Sequence, residues 1–180
     1  NNILYGVNRP NSYKMRAEQK ACVRKAVKHF QSLKTKDEKK FLINAIMRYG
    51  KTFVAYQIMK AMNLHRVLVL TYKPAVDQAW EGDLKTHVDF EGFEYINAKE
   101  FGKGNPVKLR DKVDECDVLF ASFQDINDMS KSKWRKIRDY HFDMVVLDEQ
   151  HYGTSTDRAQ KTLEKLSYTY KLEVSGTPLK

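Results

Sequence analysis

The chain has 180 residues and a mass of 21.1 kDa, which suits one domain with a sizeable core and is tight for two. With 42% hydrophobic and 31% charged residues it is not a disordered segment, and no apolar run approaches the roughly 18 residues of a membrane span. The formal net charge of +9 and pI near 9.4 favour acidic partners such as nucleic acid, nucleotides or anionic membrane, with a lysine-rich soluble surface as the bland alternative.

The predicted elements alternate between helices and strands. Residues 1–13 carry Asn, Gly and Pro and form an irregular lead-in; the first residue is Asn and nothing like a signal peptide follows, so the sequence reads as a fragment or trimmed product. Residues 16–33 show an apolar stripe, Val23, Ala26, Val27 and Phe30, at helical spacing, opposite Arg16, Lys20, Arg24 and Lys28. After a charged loop at 34–40, the continuous apolar run at 41–46 predicts a strand buried on both faces. A helix over 52–63, a strand at 66–71, a helix at 75–87 and a weaker strand at 93–97 follow, then a loop at 102–106 and a strand at 117–122. A short helix at 131–139 carries the basic cluster Lys131, Lys133, Arg135, Lys136 and Arg138 around Trp134. A strand at 144–149, a helix at 157–167 and a strand at 170–176 complete the chain. Short buried strands alternating with helices predict an α/β fold: a mostly parallel central sheet with helices on both faces, whose ligands bind at the carboxyl ends of the strands.

Two motifs sit where that architecture places ligands. Gly50-Lys51-Thr52 lies between a buried strand and a helix, the context a phosphate-binding loop requires. Backbone N–H groups at such a helix start point at an anion, Lys51 reaches terminal phosphates and the Thr52 hydroxyl suits Mg²⁺. The loop departs from the usual pattern: Ala45 holds the first Gly position, and Arg48 stands where many loops have a second Gly, beside Tyr49. At the end of the 144–149 strand come Asp148 and Glu149, two adjacent carboxylates that are costly to desolvate unless they face a cation or a reacting water. Strand alternation turns them to opposite sides, so Asp148 suits Mg²⁺ and Glu149 suits the attacking water. His29, His65, His87, His141 and His151 lack metal-site spacing, Cys22 and Cys116 are far apart without a CxxC, and Ser175 lacks a nucleophile-elbow context. The cysteine usage points to a reducing, cytoplasmic setting.

Taken in order, MRAEQ with Arg16 and Gln19, GKT at 50–52, TYKPAVDQAW at 71–80, ASFQ at 121–124, DEQH at 148–151 and SGTP at 175–178 resemble superfamily 2 DExH-box helicases and translocases. The nearest likeness is to the motor subunits of type I and type III restriction enzymes, over residues 14–180 as a RecA-like P-loop NTPase domain. The resemblance implies ATP and Mg²⁺ as cofactors. It implies that Arg16, Gln19, Arg48, Tyr49, Gly50, Lys51, Thr52 and Asp148 bind nucleotide, with Tyr13 against the base. It makes Thr52 and Asp148 the Mg²⁺ residues, Glu149, Lys51 and His151 the catalytic ones, and Ser175 and Thr177 the residues that couple hydrolysis to movement. Lys73, Pro74, Gln78, Ser122 and Gln124 fall where nucleic-acid-tracking segments lie, contacting phosphates and sugars without base readout. The implied partners are DNA (or RNA), a second RecA-like domain beyond Lys180, and nuclease, methyltransferase or specificity units. An isolated first domain lacks the second domain's arginine finger, so weak hydrolysis is expected of it. A nucleic-acid-gripping module with decayed ATPase activity is the alternative, and a P-loop kinase explains GKT and the carboxylates but not MRAEQ, ASFQ or SGTP.

Overall fold

Apolar runs became strands and amphipathic stretches became helices. The computed structural model describes residues 9–32, 39–44, 50–72, 74–99, 115–127, 137, 139–149 and 156–175. In chain order the elements are α1 (Ala17–Ser32), β1 (Lys40–Asn44), α2 (Lys51–Ala61), β2 (Val67–Thr71), α3 (Asp77–Thr86), β3 (Tyr95–Asn97), β4 (Val118–Ser122), α4 (Phe123–Asn127), β5 (His141–Glu149), α5 (Thr156–Glu164) and β6 (Ser167–Ser175). Single 3₁₀ turns, Pro74–Val76 and Val88–Phe90, flank α3. The strands form one six-stranded sheet in the order β1-β6-β5-β2-β4-β3, and every pairing is parallel.

The sheet is covered on both faces, as a parallel sheet must be. Val67 and Val69 of β2, Val118 and Phe120 of β4, Met144 and Val146 of β5, and Leu172 and Val174 of β6 turn to the side of α1, α2 and α3. Leu68, Leu70, Leu119, Ala121, Val145 and Leu147 turn to the other side, against Phe123 and Ile126 of α4 and Leu163 of α5. Each of these side chains larger than alanine, fully removed from water, contributes about 1.5–3 kcal/mol. The strand at the edge departs from expectation. Phe41 and Ile43 of β1 join the α1 side, but Leu42 is 54% exposed. An edge position lets α1 cover one face of β1 while the other stays open, so the run is not buried on both faces. Residues 45 and 46 and most of the 131–139 segment, with its basic cluster, lie outside the described residues.

The parallel register gathers the carboxyl ends of the strands along one edge. Thr71 stands opposite both Ser122 and Asp148, Asp148 opposite Val174, and Ser175 between Glu149 and Asn44. The described part of the lead-in is tied down rather than loose. Asn11 bridges His87, its N–H donating to Thr86 O at 3.1 Å and its carbonyl accepting from Val88 N–H at 2.9 Å. Arg9 donates to the His87 carbonyl at 2.8 Å, placing a cation at the end of α3 where free carbonyls favour it. Among the described residues, no helix is long and apolar enough to cross a membrane.

Candidate nucleotide site

The turn into α2 is made by Gly50, whose left-handed backbone (φ 75°, ψ 46°) suits a residue without Cβ. A Cβ there would come within 2.8 Å of Gln19 Nε2, so a side chain would have to displace the end of Gln19 as well as strain the backbone. Gln19 is itself buried and serves two neighbours. It is the third residue of α1, and its Oε1 accepts the Arg16 N–H at 2.9 Å, as a capping residue reaches back to the start of its helix. Its amide nitrogen faces Gly50. Arg16 stays exposed and pairs with Glu18 at 3.5 Å.

From Gly50 the chain enters α2 with Lys51 and Thr52 in its first turn, where no acidic residue offsets the positive end of the helix. Lys51 Nζ reaches across to β5 and donates to Asp148 Oδ1 at 2.9 Å. Asp148 is 1% exposed and Lys51 27%, so a carboxylate removed from water is held by an ammonium that still touches it. The other carboxylate oxygen, Oδ2, accepts the indole N–H of Trp80 at 3.0 Å. Alternation along β5 explains the direction: Met144 and Val146 face α1–α3, and Asp148 continues that face toward α2 and α3. The chemistry of these groups fits a metal-bound nucleotide. A helix N-terminus with no acidic residue in its first turn and an ammonium suit phosphate oxygens, while a threonine hydroxyl and a carboxylate suit a hard divalent cation.

An aromatic wall adjoins the turn. Tyr13, 49% exposed, lies edge-on to Phe53 (4.9 Å between ring centroids) and to His87 (4.6 Å). His87 is buried and hydrogen-bonded on both nitrogens: Nδ1 accepts the Asp89 N–H at 3.0 Å, which leaves Nε2 to donate to the Tyr13 carbonyl at 2.8 Å. Partial burial, and then the charge of Asp83, raise the Tyr13 phenol above its ordinary pKa. Tyr56 of α2 is buried, edge-on to Trp80 at 5.3 Å, and donates to the Trp80 carbonyl at 2.7 Å.

Over residues 12–180 the chain matches the family described as type III restriction enzyme, res subunit. The chain belongs to this family. It is 31% identical over 165 residues to the C-terminal part of a putative type II restriction enzyme and methyltransferase of Mycoplasma pneumoniae, covering 86% of this chain and 22% of that protein. Its fold is similar to the SWI2/SNF2 ATPase core of Sulfolobus solfataricus in complex with dsDNA, with a TM-score of 0.71 at 16% identity over 93% of this chain and 33% of that one. The type ISP restriction-modification enzyme LlaGI, solved with a DNA substrate mimic, gives 0.62 at 16% identity over 92% and 18%. The UvsW helicase of bacteriophage T4 gives 0.59 at 16% identity over 92% and 53%. The chain thus spans about a fifth of the curated relative and a fifth to a half of these solved chains. Sheet, helices and family match together make it the N-terminal RecA-like domain of a superfamily 2 helicase-type module.

Within this res-subunit domain the residues singled out from sequence separate into groups. Gln19, Gly50, Lys51, Thr52 and Asp148 come together at one end of the sheet. Glu149 and Ser175 are adjacent in register beside them. Pro74 begins the turn before α3 and Gln78 is exposed in the first turn of α3. Ser122 is buried and caps α4: its Oγ accepts the Asp125 N–H at 3.0 Å while Asp125 Oδ2 accepts the Ser122 N–H at 3.2 Å. Gln124, on the same short helix, is exposed. Arg48, Tyr49, Lys73, His151 and Thr177 lie outside the described residues. Sequence reading missed the tie from Trp80 to Asp148 and the role of His87 in fixing the lead-in. One signal pointed toward the first: a buried tryptophan needs a partner for its N–H.

Proposed function

We propose that this domain binds ATP with Mg²⁺ and forms the nucleotide-holding half of an ATP-driven motor that moves on DNA in a restriction or repair setting. The observation that carries the reading is the 2.9 Å pair between Lys51, at the unneutralised start of α2, and the buried Asp148 at the carboxyl end of β5. Together with Thr52, these groups suit a phosphate chain and its cation, and they lie where ligands bind in open parallel sheets.

Each residue has a task in this reading. The α2 N-terminus and Lys51 take the phosphate oxygens; for this Lys51 turns from Asp148 toward the nucleotide. Thr52 and Asp148 hold the metal ion, which when bound neutralises phosphate charge and polarises the phosphoryl group under attack. Glu149, next to Asp148 on β5, orients and deprotonates the water. Gln19, fixed at the start of α1 and in contact with the Gly50 turn, is placed to face the base, with the half-exposed Tyr13 ring as an apolar surface nearby. Ser175 stands beside Glu149 in register, which suits a residue that senses the state of the site. His151 and Thr177 belong to the same machinery on the resemblance alone. Hydrolysis needs a partner RecA-like domain to supply the charge that stabilises the transferred phosphoryl.

The DNA side of the reading draws on the relatives, two of which were solved with DNA or a DNA mimic. Lys73, Pro74, Gln78 and Gln124 are the residues proposed to follow the strand, by sequence-independent contacts that weaken with salt. The curated relative, a restriction enzyme and methyltransferase, supports nuclease and methyltransferase units as partners of the full-length protein. Calorimetry of Mg-ATP binding tests the core of the proposal. Lys51→Ala is expected to abolish measurable binding, and an unchanged affinity removes the phosphate-site assignment.

A further inference from the structure

Trp80 is fully buried, yet it carries the one polar group on its ring directly to Asp148. Its surroundings fix it from two sides. The Trp80 carbonyl accepts the Tyr56 hydroxyl at 2.7 Å, and the Tyr56 ring stands at 89° to the indole with centroids 5.3 Å apart. Tyr56 lies on α2, one turn beyond Thr52, so the helix that begins at the phosphate turn also holds the indole. Among the described residues, Asp148 therefore has one mobile side-chain donor and one fixed one. Lys51 is a flexible ammonium, 27% exposed and able to leave; the Trp80 N–H is a rigid ring donor with nowhere to go.

We propose that Trp80 is a positioning residue for the metal site: its indole N–H clamps Asp148 Oδ2, so that Oδ1 keeps its direction and remains the oxygen offered to the cation once Lys51 turns away. The inference rests on the nucleotide reading of this site and adds a residue to it. A carboxylate held by a single flexible lysine would be free to rotate about its Cβ–Cγ bond when that lysine moves to phosphate. A carboxylate held on one oxygen by a fixed indole is not. Hydrogen bonds to metal-ligating carboxylates have this effect generally, and their loss costs roughly 10–100-fold in metal affinity.

The test is the Mg²⁺ concentration that half-restores ATP affinity, measured by calorimetry on the full chain. Trp80→Phe keeps an aromatic ring and removes the N–H; the expected result is a rise of tenfold or more in that midpoint. The same substitution made in an Asp148→Ala background is expected to move that midpoint by less than about twofold, because the clamp has nothing left to hold. Equal losses in the two backgrounds would mean that Trp80 acts through packing, and an unchanged midpoint in the native background would mean that the N–H is idle; either overturns the proposal. If Trp80→Phe does not fold, benzothienylalanine at position 80 in a Trp134→Phe background keeps the bicyclic shape, lacks the N–H and is held to the same outcomes. Lys51→Ala, run alongside, separates failure of this inference from failure of the nucleotide reading: loss of ATP binding there with no effect at Trp80 condemns only the clamp.

Discussion

Cutting the Lys51–Asp148 pair from either end has unequal consequences for stability in the absence of nucleotide. Removing one partner of a buried pair typically costs 3–5 kcal/mol, because the charge left behind has no compensation. Lys51→Ala leaves Asp148, 1% exposed, with the Trp80 N–H as its remaining side-chain donor among the described residues. Lys51 is 27% exposed, so water reaches part of the vacated space, and removing a cation from the positive end of α2 returns a few tenths of a kcal/mol. About 2–3 kcal/mol remains as the expected loss. Asp148→Asn is different. The amide has the same shape, its oxygen accepts the indole N–H, the cost of burying a carboxylate disappears, and Lys51 turns to solvent. The expected change is within about 1 kcal/mol. The double substitution should then match Asp148→Asn alone, which gives a coupling of about 2–3 kcal/mol. Thermal and urea unfolding in nucleotide-free, Mg²⁺-free buffer measure this. For a chain of this size 1 kcal/mol moves the thermal midpoint by about 2–4 °C, so Lys51→Ala should melt about 4–12 °C lower. Single effects that add in the double variant, with coupling below about 0.5 kcal/mol, would refute the claim that Lys51 compensates the buried charge.

Other parts of the site give smaller signals. Gly50→Ala should destabilise by about 1–3 kcal/mol in chemical unfolding, since a side chain at φ 75° costs about 1–2 kcal/mol and its Cβ must displace the buried Gln19 amide. Ser122→Ala should cost about 1 kcal/mol through loss of the α4 cap, whereas Gln124→Ala should leave the unfolding midpoint unchanged and weaken DNA binding at low salt. The pKa of Asp83 is raised by burial, an effect only partly offset by His87, so the folded state holds its proton more tightly than the unfolded one. The sign follows: ionised Asp83 opposes folding above its folded pKa, and the opposition disappears as pH falls through the carboxylate range. Asp83→Asn should therefore stabilise the domain at pH 7, and unfolding midpoints taken at successively lower pH should show the advantage shrinking.

The strands were legible because a strand buried on both faces has no polar alternation to hide it: β2 and β4 are apolar runs that end in Thr71 and Ser122. The site was legible in outline for a related reason. Gly-Lys-Thr and Asp-Glu are polar groups placed where such runs stop, and parallel pairing sends those stops to one edge. What sequence did not reveal depends on relations between elements. That β1 pairs with β6, and so lies at an edge with Leu42 uncovered, follows from crossovers that no local pattern encodes. Ser122 was singled out as a strand-tracking residue because its segment matches such a motif, but its hydroxyl is also engaged at the start of α4, a role set by Asp125 three residues on. Asn11 and Arg9 sit in a stretch with every mark of a loose leader; their order comes from the free carbonyls at the end of α3, more than seventy residues away.

The ion pair, the indole bond and the glycine turn make sense together as a problem in charge placement. On the proposed reading the buried Asp148 faces the metal ion, and a buried carboxylate without a counter-charge destabilises the fold. Lys51 meets that need in the ligand-free structure, and on the proposed reading the same ammonium would serve phosphate when a nucleotide is bound. Once it turned away, Asp148 would require another cation, so the proposed reading has nucleotide and metal favoured together over either alone. This exchange depends on two fixed points. Gly50 sets the start of α2, and hence the root of Lys51, against the buried Gln19; Trp80 sets the direction of Asp148. In the proposed exchange it is the lysine side chain, set between these two points, that moves.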